Sequence, residues 1–252
     1  MARSRPVPTY IPPTQVFASV IAGARLFARA PAISMAFSAA FAIIGIVLLT
    51  AVIRLGFAPM TVPLIGGFML VAPSLLAGFF AIARAIDEGR RPSVRDISRG
   101  FRNTTRDLWG LLLVCGFLFV IWITDAGILY SFMVGGRDTS GALFPLSGTV
   151  LRYHLGAAVA GGFFALIVFC VTAYAVPLII DRRENLVVAV TASVRAVFRS
   201  FAANVLWAAL LASLVIASII VPLLLTIVLP ITAYATESLY RAVFPPESGN
   251  ME

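Results

Sequence analysis

Few side chains in this sequence of 252 residues have the type and placement that chemistry requires. Asp125 comes first, because it is read here as the only acid inside an apolar span, about 17 residues and so roughly 25 Å into its helix. A carboxylate in hydrocarbon marks a proton or cation path by default, with Arg54, Arg137 or Arg152 as partners on that side. Against this, such a depth approaches the far interface, where an acid costs little, and a solvated or paired helix end is the blander reading. His154 could titrate near neutral pH or bind a metal, yet it is the only histidine and stands beside Arg152 and Tyr153 as an interfacial residue would. Cys115 and Cys170, the only cysteines, fall in apolar stretches, which points to buried packing rather than to a disulfide or a zinc site. Tyr174 and Tyr234 could line a shared cavity if their segments are related by symmetry; packing or anchoring at the membrane surface is the commoner role. No phosphate-binding glycine loop, nucleophile elbow, carboxylate pair or metal-ligand spacing occurs, so no catalytic, cofactor or metal site is expected.

The elements that must position these residues follow from composition. The chain is 60% hydrophobic and 12% charged, with a mean hydropathy of +1.00, whereas soluble domains are roughly 45–50% apolar and about 25% charged. A soluble globular class is excluded. All 19 basic residues are arginine, and against 11 acids they give a net charge of +8. In a soluble domain that balance would suggest nucleic acid; here the arginines flank apolar runs, where the positive-inside rule and anionic headgroups explain them, and no nucleic-acid partner is expected.

Six spans are predicted, at about Ala32–Ile53, Val62–Ala85, Leu108–Tyr130, Leu155–Ile180, Phe201–Ile219 and Val221–Tyr240, within one domain over 14–243. Residues 201–236 carry no charge; as a single helix they would be about 54 Å long, nearly twice the hydrocarbon core, so they are divided at Pro222. Met1–Pro13, with four prolines and no apolar core, reads as an irregular cytoplasmic tail rather than a signal peptide, and 244–252 as a C-terminal tail. Six spans place Arg54, Arg137 and Arg152 on one side and the other 16 arginines opposite, so that second side, with both termini, is expected to be cytoplasmic in a bacterial inner membrane.

The expected fold is all-α: three hairpin repeats of two spans, each preceded by an amphipathic cytoplasmic-side helix bearing arginine. Val171-Thr172-Ala173-Tyr174-Ala175 and Ile231-Thr232-Ala233-Tyr234-Ala235 match at four of five positions. Phe101-Arg102-Asn103 leads to Leu108-Trp109 as Phe198-Arg199-Ser200 leads to Leu206-Trp207, with Phe27-Ala28-Arg29 a looser counterpart. The amphipathic stripes are Val16, Val20, Ala24 and Phe27 with Phe17 and Ile21 beside them; Val94, Ile97 and Phe101 behind a Ser93/Asp96 capping box; and Leu186, Val190, Val194 and Val197. Such helices either lie in the headgroup plane or cover the ends of the bundle.

The glycine- and proline-rich segment Leu64 to Pro73 and the basic link Glu88-Gly89-Arg90-Arg91-Pro92-Ser93, behind an arginine-bearing helix, resemble an uncharacterised family of bacterial integral membrane proteins, over about Phe17 to Arg241. Some of its members carry the label of cytochrome c oxidase subunit. The resemblance implies a six-helix membrane fold with no catalytic motif. A haem–copper catalytic subunit would need several intramembrane histidines, and this chain has one. Two functions are therefore expected: a non-catalytic accessory or scaffold subunit of a larger membrane complex, a respiratory one among the candidates, held by lipid and by other membrane subunits, or a small-solute or ion transporter or channel.

Overall fold

The computed structural model describes residues 6–55, 75–102, 105–133, 148–181 and 184–245. These residues fold into helices, with no strand among them. In chain order they are α1 (Thr14–Arg29), α2 (Pro31–Arg54), α3 (75–87), α4 (Val94–Arg102), α5 (Arg106–Met133), α6 (Gly148–Thr172), α7 (Ala175–Ile180), α8 (Leu186–Arg199), α9 (Phe201–Ile220) and α10 (Leu225–Val243).

Among the described residues, five stretches are long and apolar enough to cross a membrane: Pro31–Ala51, Arg106–Met133, Leu151–Ile180, Phe201–Ser218 and Pro222–Val243. They coincide with the first, third, fourth, fifth and sixth predicted spans. Of the second, Val62–Ala85, residues 62–74 lie outside the described residues, and the remainder forms α3. The fourth is broken by a turn at Ala173–Tyr174, where α6 gives way to α7. The expected break in the long uncharged run is present: α9 ends at Ile220 with Val221 as its cap, and Pro222–Leu224 make a 3₁₀ turn into α10. Proline suits the first position of such a turn because the missing N–H has no acceptor there in any case.

α5 and α6 pair antiparallel, since Trp122 meets Gly161, Leu129 meets Gly156 and Tyr130 meets Tyr153. At the centre stands α10, whose Ala233 and Tyr234 belong to one apolar cluster with Leu75, Phe79, Ile82 and Ile97, while Ala235, Leu239, Tyr240 and Val243 belong to the other. The spans around it bury little: of the 28 residues of α5, only Leu108, Leu111, Cys115 and Ala126 are buried. Large apolar side chains such as Trp109, Leu113, Phe117 and Phe132 are exposed, an arrangement tolerable only in an apolar solvent.

The amphipathic helices cover the bundle rather than standing apart from it. α1 runs antiparallel along α10, from Ser19 beside Ser238 to Gly23 against Ile231 and Ala235. The non-helical segment ahead of it is tied down as well, with Thr9 N–H donating to the Val243 carbonyl at 2.8 Å and Ile11 N–H to Ser200 Oγ at 3.0 Å. α4 lies on α3 through Gly100 against Ala77 and Ala81. In α8, Ser193 Oγ donates to the Cys170 carbonyl at 2.8 Å and accepts from Tyr174 N–H at 3.1 Å. The faces turned inward are mostly small, Ser19 and Gly23 beside Val16 in α1 and Ala189, Ala192, Ser193 and Ala196 beside Val197 in α8, while Phe17, Ile21, Val187 and Phe198 are exposed.

Candidate functional site

The strongest convergence of charged groups lies where α3, α4 and α7 meet the start of α5. Local sequence explains how they arrive. α3 is stopped by Gly89 at φ 69, with Arg90 N–H donating to the Ala85 carbonyl at 2.9 Å and Gly89 N–H to that of Ile86 at 3.0 Å. That pair of bonds is a Schellman closure, and it needs the left-handed conformation that glycine adopts at no steric cost. The chain then reverses, and Asp96 reaches back from the first turn of α4 to accept from the Ser93 hydroxyl at 2.6 Å and the Ser93 N–H at 2.9 Å. This is the carboxylate half of the expected capping box; the hydroxyl points at the carboxylate instead of at the helix. Above all the Ser93 hydroxyl, then its N–H and Arg90, hold the Asp96 carboxyl below its ordinary range.

Arg90 also pairs with Glu88 and, at 3.3 Å, with Asp96; Arg99 stands 3.8 Å from Asp96. Gly100 brings α4 onto α3 so closely that a Cβ there would lie 2.6 Å from the Ala77 carbonyl oxygen. From α3, Arg84 reaches Asp181 past the end of α7 at 3.3 Å. Together these enclose a half-open cavity of about 410 Å³ with Arg84, Arg90, Asp96, Arg99, Thr105 and Asp181 around it and Phe80, Ala81, Leu108 and Ile180 among its apolar lining. Thr105 Oγ1 is buried there without a hydrogen-bond partner among the described residues.

A charged network adjoins the cavity. Tyr240 donates to Asp181 at 3.1 Å, and Arg241 bridges Asp87 at 3.1 Å and Glu237 at 2.5 Å. The ends of α3, α7 and α10 are thereby joined by charge. Glu237 is buried, and its second carboxylate oxygen has no partner among the described residues.

The residues singled out from sequence lie elsewhere. Asp125 is exposed on α5 rather than turned inward, and no ion pair joins it to Arg54 or Arg152; Arg137 lies outside the described residues. Nor is it the only acid within an apolar span, because Glu237 sits inside the stretch Pro222–Val243. Glu237 falls inside the predicted sixth span, Val221–Tyr240, four residues before Arg241, and is an acid that the sequence reading passes over. His154 falls in α6, where its side chain lies outside the described residues. Cys115 is buried and Cys170 half-buried, and both are free thiols. Tyr174 and Tyr234 are deeply buried and do not share a cavity: Tyr174 donates to Asn204 Oδ1 at 2.8 Å, and Tyr234 meets Ser34 at 2.7 Å.

Apolar helices long enough to span a bilayer, covered at one end by arginine-bearing helices, define an integral membrane protein. Residues 61–181, just under half of the chain, match the sequence profile of the family described as "Predicted integral membrane protein (DUF2189)". The match falls within the range over which the resemblance was expected and takes in Arg84, Arg90, Arg99, Thr105 and Asp181 of the cavity. No curated protein and no solved structure matches the chain.

Proposed function

We propose that the protein is a non-catalytic accessory or scaffold subunit of a larger assembly in the bacterial inner membrane, with the arginine-bearing end and both termini in the cytoplasm. The observation that carries this reading is the disposition of polar groups inside the spans. Tyr234 is met by Ser34 and Tyr174 by Asn204, whose amide donates in turn to the Ser200 and Ala196 carbonyls. These two tyrosines and Asn204 are thus satisfied by the chain itself, and the inward polar atoms left without a partner among the described residues, Trp122 Nε1 and Glu237 Oε2, lie on different spans, whereas transport needs convergent polar groups left for a solute. Outside, Gly116 of α5 and Gly162 of α6 have open space where a Cβ would stand, as a neighbouring transmembrane helix would require. Purification in mild detergent followed by native mass measurement tests the reading. A copurifying membrane partner is expected, and a lone species overturns it. Reporter fusions at Glu88–Arg102 and at the C-terminus test the orientation, and activity outside the cell at either site overturns that part.

The reading includes three hairpin units in cyclic order. Its support is that Gly23, Gly100 and Ser193, one from each amphipathic helix, meet matching levels of three spans, at Ile231/Ala235, Ala77/Ala81 and Cys170/Tyr174. Each unit's amphipathic helix then rests on the second span of the preceding unit, and α1 closes the ring on α10.

A transporter or channel is the second reading, favoured by Glu237 buried beside Arg241 and the acids of α3 and α7. Proton or cation flux in proteoliposomes, lost in Glu237→Gln, would establish it; absence of flux in the wild type removes it.

A further inference from the structure

The arginine cavity has no part in the reading above, and its chemistry points to a ligand. Arg84, Arg90 and Arg99 converge on it with two carboxylates, so the question is which donors remain. Asp96 is occupied by the Ser93 hydroxyl and N–H as well as by Arg90. Among the described residues Arg84 gives one N–H to Asp181 and Arg99 makes a 3.8 Å contact with Asp96; a guanidinium carries five donors in a planar fork. Both side chains are more than half exposed toward the opening. Thr105, whose buried hydroxyl has no partner among the described residues, stands at the head of α5, a helix of 28 residues. Its carbonyl accepts from Leu108 N–H at 3.1 Å and from Trp109 N–H at 3.4 Å, which fixes Thr105 at the start of the helix. A hydroxyl and guanidinium forks form an anion site of the kind that suits a tetrahedral phosphate. Phe80, Leu108 and Ile180 beside them suit an apolar chain attached to that phosphate.

We propose that this cavity binds a phosphate group, carried either by an acidic phospholipid headgroup or by a soluble phosphate compound. The site is independent of any partner subunit, so its failure and that of the accessory reading are separable. The full chain in phosphatidylcholine nanodiscs is given phosphatidylglycerol or inorganic phosphate, and retention is read by native mass and stabilisation by thermal midpoint. One retained phosphatidylglycerol identifies the lipid source, and stabilisation by inorganic phosphate the soluble one; either supports the site. Arg99→Gln and Thr105→Val are each expected to weaken binding about tenfold, while Arg25→Gln, on an exposed position of α1, leaves it unchanged. Should Thr105→Val fail to fold, Arg99→Gln at its exposed position carries the test. Absence of any phosphate dependence, or equal binding by Arg99→Gln and Arg25→Gln, overturns the proposal.

Discussion

At the scale of single residues, close approach of helices decides more than any reactive group. Gly23 touches α10 so closely that a Cβ would lie 2.5 Å from the Ile231 carbonyl oxygen and 2.7 Å from Ala235 N. Both are backbone atoms and cannot swing aside. Gly23→Ala is therefore expected to destabilise the fold by about 2 kcal/mol, the range of an overpacked core, measured by unfolding in mixed micelles. Gly116→Ala is the control: with open space at its Cβ position it should match or slightly exceed the wild type. The buried tyrosines behave differently. Tyr174→Phe leaves the Asn204 carbonyl oxygen without its donor in an apolar interior, a loss of about 1–3 kcal/mol, which Asn204→Leu in the same chain should partly recover. Tyr174 and Tyr234 were visible in the sequence because they repeat in matching pentapeptides. Asn204 and Ser34 were not, since one small polar residue in an apolar run sets up no period. Asp125 drew notice by its distance from the nearest charges, but spacing along the chain does not say which side of a helix faces the bundle.

At the scale of elements, helix existence and end signals were legible, and helix faces only in part. Pro222 marked its turn, Gly89 the stop of α3, and Ser93 with Asp96 the start of α4. The stripes drawn on α1 and α8 overlap the faces that pack, with Val16 and Val197 buried, but those faces extend to small residues that a stripe of large apolar ones left out. Where lipid surrounds a bundle, large residues can face outward at no cost and small ones permit close contact, so Ala189, Ala192 and Ser193 are buried while Val187 and Phe198 are exposed. The cap of α4 carries a pH dependence whose sign is fixed. The Asp96 carboxyl lies below its ordinary value, chiefly through the Ser93 hydroxyl. Its contribution is thus present above the ordinary aspartate range and is lost as pH falls through the lowered value. Ser93→Ala should raise the Asp96 titration toward the ordinary range, followed by carbon-detected NMR. The variant should be less stable at neutral pH, with the deficit disappearing in acid, where both proteins hold a protonated Asp96.

For the molecule as a whole, the decisive contact is the one between chain ends. Hydropathy and arginine count indicate a membrane bundle with one basic end, but neither can say that the first helix lies on the last, because that contact joins residues more than 200 positions apart. α1 seals the small face of α10 that Ile231, Ala235 and Ser238 present, and without it that face would open onto solvent or lipid. If the three units follow one another around a ring, this closure is what α4 on α3 and α8 on the α6–α7 turn do for the other two. Ser19 Oγ and Ser238 Oγ are 3.4 Å apart in that seam, which brings cysteine sulfurs at these two positions within reach of each other. In a chain whose Cys115 and Cys170 are replaced by alanine, Ser19→Cys with Ser238→Cys is expected to oxidise to a disulfide within the monomer. Cleavage between α5 and α6 should then leave the two fragments joined until reductant is added. Thr50→Cys with Ser238→Cys, which pairs α10 with the far part of α2, should give fragments that separate without reductant. If the first pair fails to link in membranes while each single cysteine remains reactive, α1 does not rest on α10, and the cyclic order of units falls with it.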